Sequence, residues 1–494
     1  MKAPKEMNIV FIIVDGLRAK NLSCYGYPKL TSPTIDKIAE RGVLFENAYA
    51  CSNHTDPSFT TMFSGKCPIS HGIVHHGFDV TDDEIKELKR TGTIFLPQIL
   101  KMYGYTTIAV DYLERWHKKG YDFYGIRKKE SVRIKHARFD AFLDMVGRCL
   151  NKLPHFIYLP IRKMVRSAGL AKDLLRGGVL TDLAIKLLKE KQDKFFLLIH
   201  YADVHSPWNT IPKKYIRKFR EDEKEKIEIE KMLEKIENKE WREVVRRIHM
   251  DGINYVHEIS SVYDGAINFI DDEINRLIEF LDREGKLDQT LIIITGDHGT
   301  DEIRNGIFIG HHGLYEPSIH VPLIMAYPRG LGLKNGRVKG FVQHTDLLPT
   351  ILEIIGIDAS TFNFDGKSLL PLINENKQMH SSVYVMEATA EQRFCIRTNE
   401  YKYICSFSKD NPFDKHKTCG RDIEELYDLK KDLNEEQNIV QERPEIRKKL
   451  REKLVEWMEG LQHKKLKREL LVNKIRRLKE SDRINTSKNH KQDT

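Results

Sequence analysis

The sequence predicts an α/β fold, a three-layer sandwich built around a mostly parallel sheet. Two observations carry that prediction. Apolar, β-branched-rich runs recur between stretches of helical periodicity: Ile9–Val14, Thr106–Val110, Phe195–His200, Leu291–Thr295 and Val321–Ala326. Acidic and imidazole side chains also stand directly after three of those runs, as Asp15, as Asp203 with His205, and as Asp297 with His298. Ligands of open parallel sheets gather beyond the carboxyl ends of the strands, so these residues stand where such a fold builds a site.

The elements follow in order. The first run closes on Asp15, so it reads as a buried strand and not as the apolar core of a secretion signal. Helices are expected near 34–41, 57–65, 93–103, 181–191 and 259–284. Two segments read as insertions. Residues 127–180 mix basic and apolar side chains and suit amphipathic helices that cap a site or touch a membrane surface. Residues 213–250 are densely charged and suit exposed helices with i,i+4 pairs. From about 382 the pattern changes to short strands, SSVYVMEA, RFCIRTNEYKYICSF and EELYDL. The expected organisation is a catalytic domain over 7–380, a small antiparallel-sheet subdomain over 381–440 and a basic helical tail over 441–494.

Composition narrows the class. With 40% hydrophobic and 31% charged residues in 494, the chain reads as a soluble globular protein. No apolar run is long enough to span a bilayer. Seven irregularly spaced cysteines give no disulfide framework, and a reducing cytoplasm is the expected location. The net charge of +9 concentrates in 127–138, 161–176 and 441–494. These segments offer a peripheral membrane contact, although solvated helix faces are the weightier reading, and no specific nucleic acid is predicted.

The chemistry centres on residues 47–73, NAYACSNHTDPSFTTMFSGKCPISHGI. Thr55 precedes Pro57 and Ser58 at the head of a short helical run. A hydroxyl there lies where backbone N–H groups stabilise an anion and a metal activates the oxygen. Read singly, Thr55 is also a good helix cap, Asp15 a turn residue and Asp297-His298 a loop.

The stretch resembles the nucleophile motif of the sulfatases, within the alkaline phosphatase superfamily: Cys or Ser, any residue, Pro, Ser, Arg, then Thr-Gly and His-Gly. Here it reads Thr55-Asp56-Pro57-Ser58-Phe59, then Ser64-Gly65, Pro68 and His71-Gly72. Thr55 stands in place of the Cys or Ser that sulfatases convert to formylglycine, and Phe59 in place of the Arg. Thr nucleophiles belong to the phosphodiesterase and phosphoethanolamine-transferase branches. The C-terminal Glu425-Leu426-Tyr427-Asp428-Leu429 is similar to the closing run of the small sulfatase subdomain, so the resemblance covers about 7–440.

The resemblance implies an alkaline-phosphatase-like sandwich and one divalent metal held by Asp15, Thr55, Asp297 and His298. Gly16 removes a carboxylate that typical sulfatases have, and His298 supplies a nitrogen, which favours zinc or manganese; calcium fits if waters complete its shell. His205, in Tyr201-Ala202-Asp203-Val204-His205-Ser206-Pro207-Trp208, takes the role of a substrate-anion contact. His311 or His312 is the candidate general acid. Arg115 and His117, around Trp116, resemble a pair of substrate contacts; His71 joins them as a candidate that also suits its turn, and His344 reads as scaffolding.

The function expected is hydrolysis of a phosphoester, foremost a diester, through a covalent Thr55 intermediate. The substrate would be a small-molecule, lipid or glycan ester. Sulfate-ester hydrolysis, phosphotransfer and non-catalytic anion binding are the alternatives. Thr cannot become formylglycine, which sets the diester first at this stage.

Overall fold

The computed structural model describes residues 7–126, 176–190, 194–208, 211–220, 227–234, 239–250, 252–304, 307–311, 313–389, 392–406 and 424–464. The expected insertion at 127–180, His312 and the end of the basic tail thus lie largely or wholly outside the described residues.

The central sheet has eight strands: β1 (Asn8–Val14), β2 (Gly42–Tyr49), β3 (Thr106–Val110), β4 (Phe123–Tyr124), β5 (Phe195–Tyr201), β6 (Thr290–Gly296), β9 (Leu323–Ala326) and β10 (Gly336–Gln343). Between β6 and β9 runs a hairpin of β7 (Asp301–Arg304) and β8 (Ile307–Gly310). The sheet order is β10-β2-β9-β6-β1-β5-β3-β4. All neighbours pair in parallel except β9, which runs antiparallel to both β2 and β6. The run at Val321–Ala326 is therefore a strand of the predicted sheet in the opposite direction.

Side chains of β1 alternate between the two faces, as the period of a strand dictates. Val10, Ile12 and Val14 join one buried cluster, and Ile9, Phe11 and Ile13 join the other. The first cluster takes apolar residues from α1 (Pro33–Glu40), from α4 (Gly177–Lys189) and from α5 (Val256–Arg283). The second takes Phe59, Met62 and Phe63 of α2 (Thr55–Ser64), with α3 (Leu96–Met102) and α6 (Leu347–Ile354). Helices thus cover both faces, as near-continuous apolar strands require.

The charged segment 213–250 folds as short helices, with Arg247 and Glu243 forming one i,i+4 pair. It also buries Ile229, Met232, Leu233, Val245 and Met250 in the first cluster, so it covers core as well as facing solvent.

A second sheet, β11 (Val383–Glu387), β12 (Arg393–Arg397), β13 (Tyr401–Ser406) and β14 (Glu424–Asp428), is fully antiparallel. Helix α7 (444–464) begins the expected basic tail, yet it packs on that sheet: Leu450 and Leu454 are buried with Ile396, Tyr403 and Leu426, and Trp457 stacks on Tyr384 at 4.7 Å. Its charged side chains are the outer face of an amphipathic helix. No helix among the described residues is long and apolar enough to cross a membrane.

Candidate active site

Five parallel strands deliver chemistry to one edge of the sheet. Asp15 follows β1, Thr55 follows β2 by way of residues 50–54, Asp111 follows β3, Asp203 and His205 follow β5, and Asp297 and His298 follow β6. Strand β2 was not expected from the sequence, and it explains why Thr55 reaches the same edge as the others.

Thr55 is the first residue of α2, and His54 occupies the cap position without a side-chain cap bond. Thr55 is therefore not used as a helix cap. Its Oγ1 lies 3.3 Å from His298 Nε2. Asp15 Oδ1 and Asp297 Oδ2 each lie 3.5 Å from that same nitrogen. Asp15, Asp297 and His298 are buried, and each offers one ligand atom within 4.8 Å of the others.

Each ligand is oriented from behind. His298 Nδ1 is 2.7 Å from the Gly299 carbonyl, so Nδ1 donates there and Nε2 is turned to the cluster. Asp297 Oδ1 accepts from the N–H groups of His298 (2.9 Å) and Gly16 (3.2 Å), leaving Oδ2 towards the cluster. Gly299 is required by close packing, because a Cβ there would lie 1.9 Å from the Pro317 carbonyl oxygen.

The residues fit a divalent cation. Asp15 Oδ1 and Asp297 Oδ2 are buried and accept no hydrogen bond of ordinary length from the described residues. Burial, followed by the Asp15 charge, pushes the Asp297 carboxyl up. Burial also opposes ionisation of Asp15, but His205, His298 and His200 hold it below the usual carboxylate range. Two carboxylates sharing a dry site need a positive charge between them. Two carboxylates, one imidazole and one hydroxyl form a mixed oxygen and nitrogen set of the kind that holds a divalent cation.

Histidines line the rest of the cleft. The His311 ring stacks on His298 at 4.2 Å, with His205 at 5.3 Å and His54 at 4.7 Å from it. His205 Nδ1 is 2.6 Å from the Ser206 carbonyl, which turns Nε2 away from its own backbone. The His311 carbonyl accepts from Asn53 Nδ2, two residues before Thr55, and Glu387 at the end of β11 accepts from the Gly313 N–H at 3.0 Å. The C-terminal sheet thus holds the segment that carries His311.

Three expected contacts stand elsewhere. His71 is fully buried in its turn, bonded to Thr61 Oγ1 (3.1 Å) and to the Ile73 N–H (3.1 Å). Burial holds it well below the usual imidazole range, so it is neutral scaffolding. His117 Nε2 is 2.9 Å from Asp56 Oδ1, turned to that carboxylate behind Thr55. Arg115 is exposed and donates to the Gly77 carbonyl, at the rim beside His76. His344 is buried, and burial pushes it down to about 3, which fits a scaffolding role.

Several site residues escaped the sequence reading. Asp56 pairs with His76 Nδ1 (3.0 Å) as well as His117, and these bonds hold its carboxyl far down against burial. Asp111, Tyr112 and His200 form a buried group behind Asp15. The signal available was position: Asp111 follows its strand as Asp15 does, and Asp56 lies inside the motif. Phe59 packs its ring on His200 at 4.5 Å.

A family model described as Sulfatase matches residues 7–357, and one for the C-terminal part of N-sulphoglucosamine sulphohydrolase matches 307–463. The second match carries the resemblance beyond residue 440 and through most of α7. The chain is 23% identical over 516 residues to an N-acetylglucosamine-6-O-sulfatase of Bacteroides thetaiotaomicron, covering 88% of this chain and 83% of that protein. It is 24% identical over 409 residues to a multifunctional alkaline phosphatase superfamily protein of Trinickia caryophylli, covering 75% and 77%. Among solved structures, the phosphonate monoester hydrolase of Agrobacterium radiobacter superposes with a TM-score of 0.65 at 18% identity, over 93% of this chain and 96% of that one. An enzyme bound to its substrate D-glucosamine-2-N,6-O-disulfate gives 0.63 at 19% identity, over 93% and 98%.

Proposed function

This chain belongs to the sulfatase family, and from that membership we propose that it is a metal-dependent hydrolase of a singly charged oxyanion ester with Thr55 as its nucleophile. A sulfuric ester is the first reading, because the curated relatives are mostly named as sulfatases. This reverses the order expected from the sequence, which set the phosphodiester first.

The observation that carries the proposal is the convergence of Thr55 Oγ1, Asp15 Oδ1 and Asp297 Oδ2 on His298 Nε2, at 3.3, 3.5 and 3.5 Å. A divalent cation held by these four residues would lower the pKa of the Thr55 hydroxyl and polarise a nonbridging oxygen of the substrate. Thr55, its proton lost to solvent, would then bond to sulfur or phosphorus as the bond to the leaving oxygen breaks. His205, on the cleft wall, would hydrogen-bond the nonbridging oxygens on which charge accumulates. His311, whose ring stacks on that of His298 at 4.2 Å, would protonate the leaving oxygen. Water, giving a proton to His311, would then attack the covalent adduct at the same central atom and free Thr55, whose oxygen regains a proton from solvent.

A phosphoric diester is the second reading. Thr55 itself favours it, since a Thr ester must be opened at the central atom and not by formylglycine chemistry. Kinship with a phosphonate monoester hydrolase fold points the same way. Sulfate monoesters and phosphodiesters carry one negative charge near neutral pH, and the cleft offers them imidazoles.

The test is turnover of aryl sulfate, bis-aryl phosphate and aryl phosphate by metal-loaded protein, beside Thr55→Ala. Sulfate or diester turnover lost in Thr55→Ala supports the proposal, and the faster substrate selects the reading. Turnover that survives Thr55→Ala refutes Thr55 as nucleophile.

A further inference from the structure

Behind Asp15 lies a group of side chains that the reaction above does not use. Asp111, just past β3, is fully buried. Its Oδ1 is 2.9 Å from His200 Nδ1 and accepts from the Tyr112 N–H at 2.7 Å, while Oδ2 takes the Tyr124 hydroxyl. His200 sits on β5 with no exposure, and its ring is stacked on Tyr112 at 4.7 Å with 15° between the planes. The Tyr112 hydroxyl lies 3.5 Å from His200 Nε2 and donates to Asp15 Oδ2 at 3.1 Å.

These contacts divide the two oxygens of Asp15. Oδ2 is held by a phenol whose ring is clamped by a buried carboxylate–imidazole pair. Oδ1 is left on the side of His298 and accepts no hydrogen bond from the described residues. Strand β1 brings only this one carboxylate to the cluster, because its successor is Gly16. The orientation of a single carboxylate then governs how well a cation is held. Outer hydrogen-bond partners of metal ligands typically contribute 10- to 100-fold in affinity, by fixing the ligand before the ion arrives.

We propose that Tyr112, clamped by the Asp111–His200 pair, is the positioning residue that presents Asp15 Oδ1 to the cation. The part assigned to His200 is to hold the Tyr112 ring in place. The inference rests on the reading that Asp15, Asp297 and His298 hold a divalent metal.

The experiment is a chelator-competition titration of manganese and zinc into wild type, Tyr112→Phe, His200→Leu, the double variant and Asp297→Ala, with metal-free melting temperatures for each. Tyr112→Phe is expected to weaken binding by roughly 10- to 100-fold, with a metal-free melting temperature within about 2 °C of wild type. His200→Leu is expected to weaken binding in the parent but by less than about 2-fold in the Tyr112→Phe background, the mark of residues acting in series. Wild-type affinity in Tyr112→Phe, with binding lost in Asp297→Ala, overturns the positioning role and leaves the metal site standing. Unchanged binding in Asp297→Ala, or none in wild type, overturns the metal reading and the inference together.

Discussion

Thr55 Oγ1 stands 3.3 Å from His298 Nε2, and the ring bearing that nitrogen is pinned by Nδ1 at 2.7 Å from the Gly299 carbonyl. That bond turns Nε2 towards the hydroxyl, so the two atoms face one another and are placed to share one cation.

Thr55→Ala should then lower kcat by roughly 10³-fold or more, because it removes the oxygen proposed to attack. Thr55→Ser keeps the oxygen at the head of α2 and should retain turnover within about 100-fold of wild type. Steady-state kinetics on the best substrate decide it. Equal losses in both variants would mean that the Thr methyl, and not the oxygen, matters.

Cation binding should appear as stability. The buried carboxylates of Asp15 and Asp297 repel each other until a cation neutralises them. Manganese or zinc at about 100 times its dissociation constant should raise unfolding stability by about 2.7 kcal/mol, and exhaustive chelation should remove that gain. Asp297→Ala should lose the response. Calorimetric scans with and without metal would check it; an equal rise in Asp297→Ala places the binding elsewhere.

Glu84 gives a pH-dependent handle outside the site. Its carboxylate accepts from the Val74 (2.8 Å), His75 (3.0 Å) and Thr81 (2.8 Å) N–H groups and faces His75 Nδ1. Burial opposes ionisation, but these bonds win and hold the group down at about 2, against an ordinary value of 4.5. The folded state therefore binds its proton less readily than the unfolded chain. Its contribution is fully present above pH 4.5 and is lost as pH falls from 4.5 towards 2. Glu84→Gln should cost about 1–2 kcal/mol at pH 7 and almost nothing near pH 2. Urea unfolding at several pH values measures the difference, and a cost independent of pH would contradict it.

The strands were legible where burial on both faces left unbroken apolar runs, as in β1, β5 and β6. Strand β2 was hidden because GVLFENAY mixes polar residues into its second half, where it nears the site. The reversal of β9 was not legible, since strand direction leaves no mark on a four-residue apolar run. Asp15, Thr55, Asp297 and His298 were legible because each stands next to a strand or helix boundary in its motif. His200 was not: it sits inside β5, where the apolar pattern masks a buried imidazole whose partner lies 89 residues away. His117 was expected as a substrate contact and instead faces Asp56, which looked like a variable motif position until the fold brought the two together.

The joint between the two sheets rests on Lys402, fully buried on β13. Its Nζ lies 2.9 Å from Glu316 and 2.6 Å from Glu435. Burial works against the ammonium, but the two carboxylates raise it above the ordinary lysine range. Lys402→Met should cost about 3 kcal/mol, since it takes the ammonium from the buried Glu435 and leaves Glu316 with Arg397, at 3.3 Å, as its remaining ion pair. Adding Glu316→Gln and Glu435→Gln should recover much of that loss. Chemical denaturation of the single and triple variants checks both parts, and a cost below about 1 kcal/mol for the single variant would show that water enters the joint.

Gly16 is the position at which the proposed preference for zinc or manganese can be tested. Its φ of +74° is left-handed, a region Asp tolerates better than most side chains, and a Cβ there would meet His205 at 3.5–3.7 Å, an ordinary contact. Gly16→Asp should therefore fold, with a cost of about 1 kcal/mol from the backbone. The added carboxylate would enrich the oxygen donors around Asp15 and Asp297, a change that favours calcium over the softer ions. Calcium affinity should rise by about 10-fold or more relative to zinc. Parallel titrations with the two ions would measure the ratio. If it stays unchanged, the second carboxylate does not reach the cluster, and the choice of metal is governed by His298 instead.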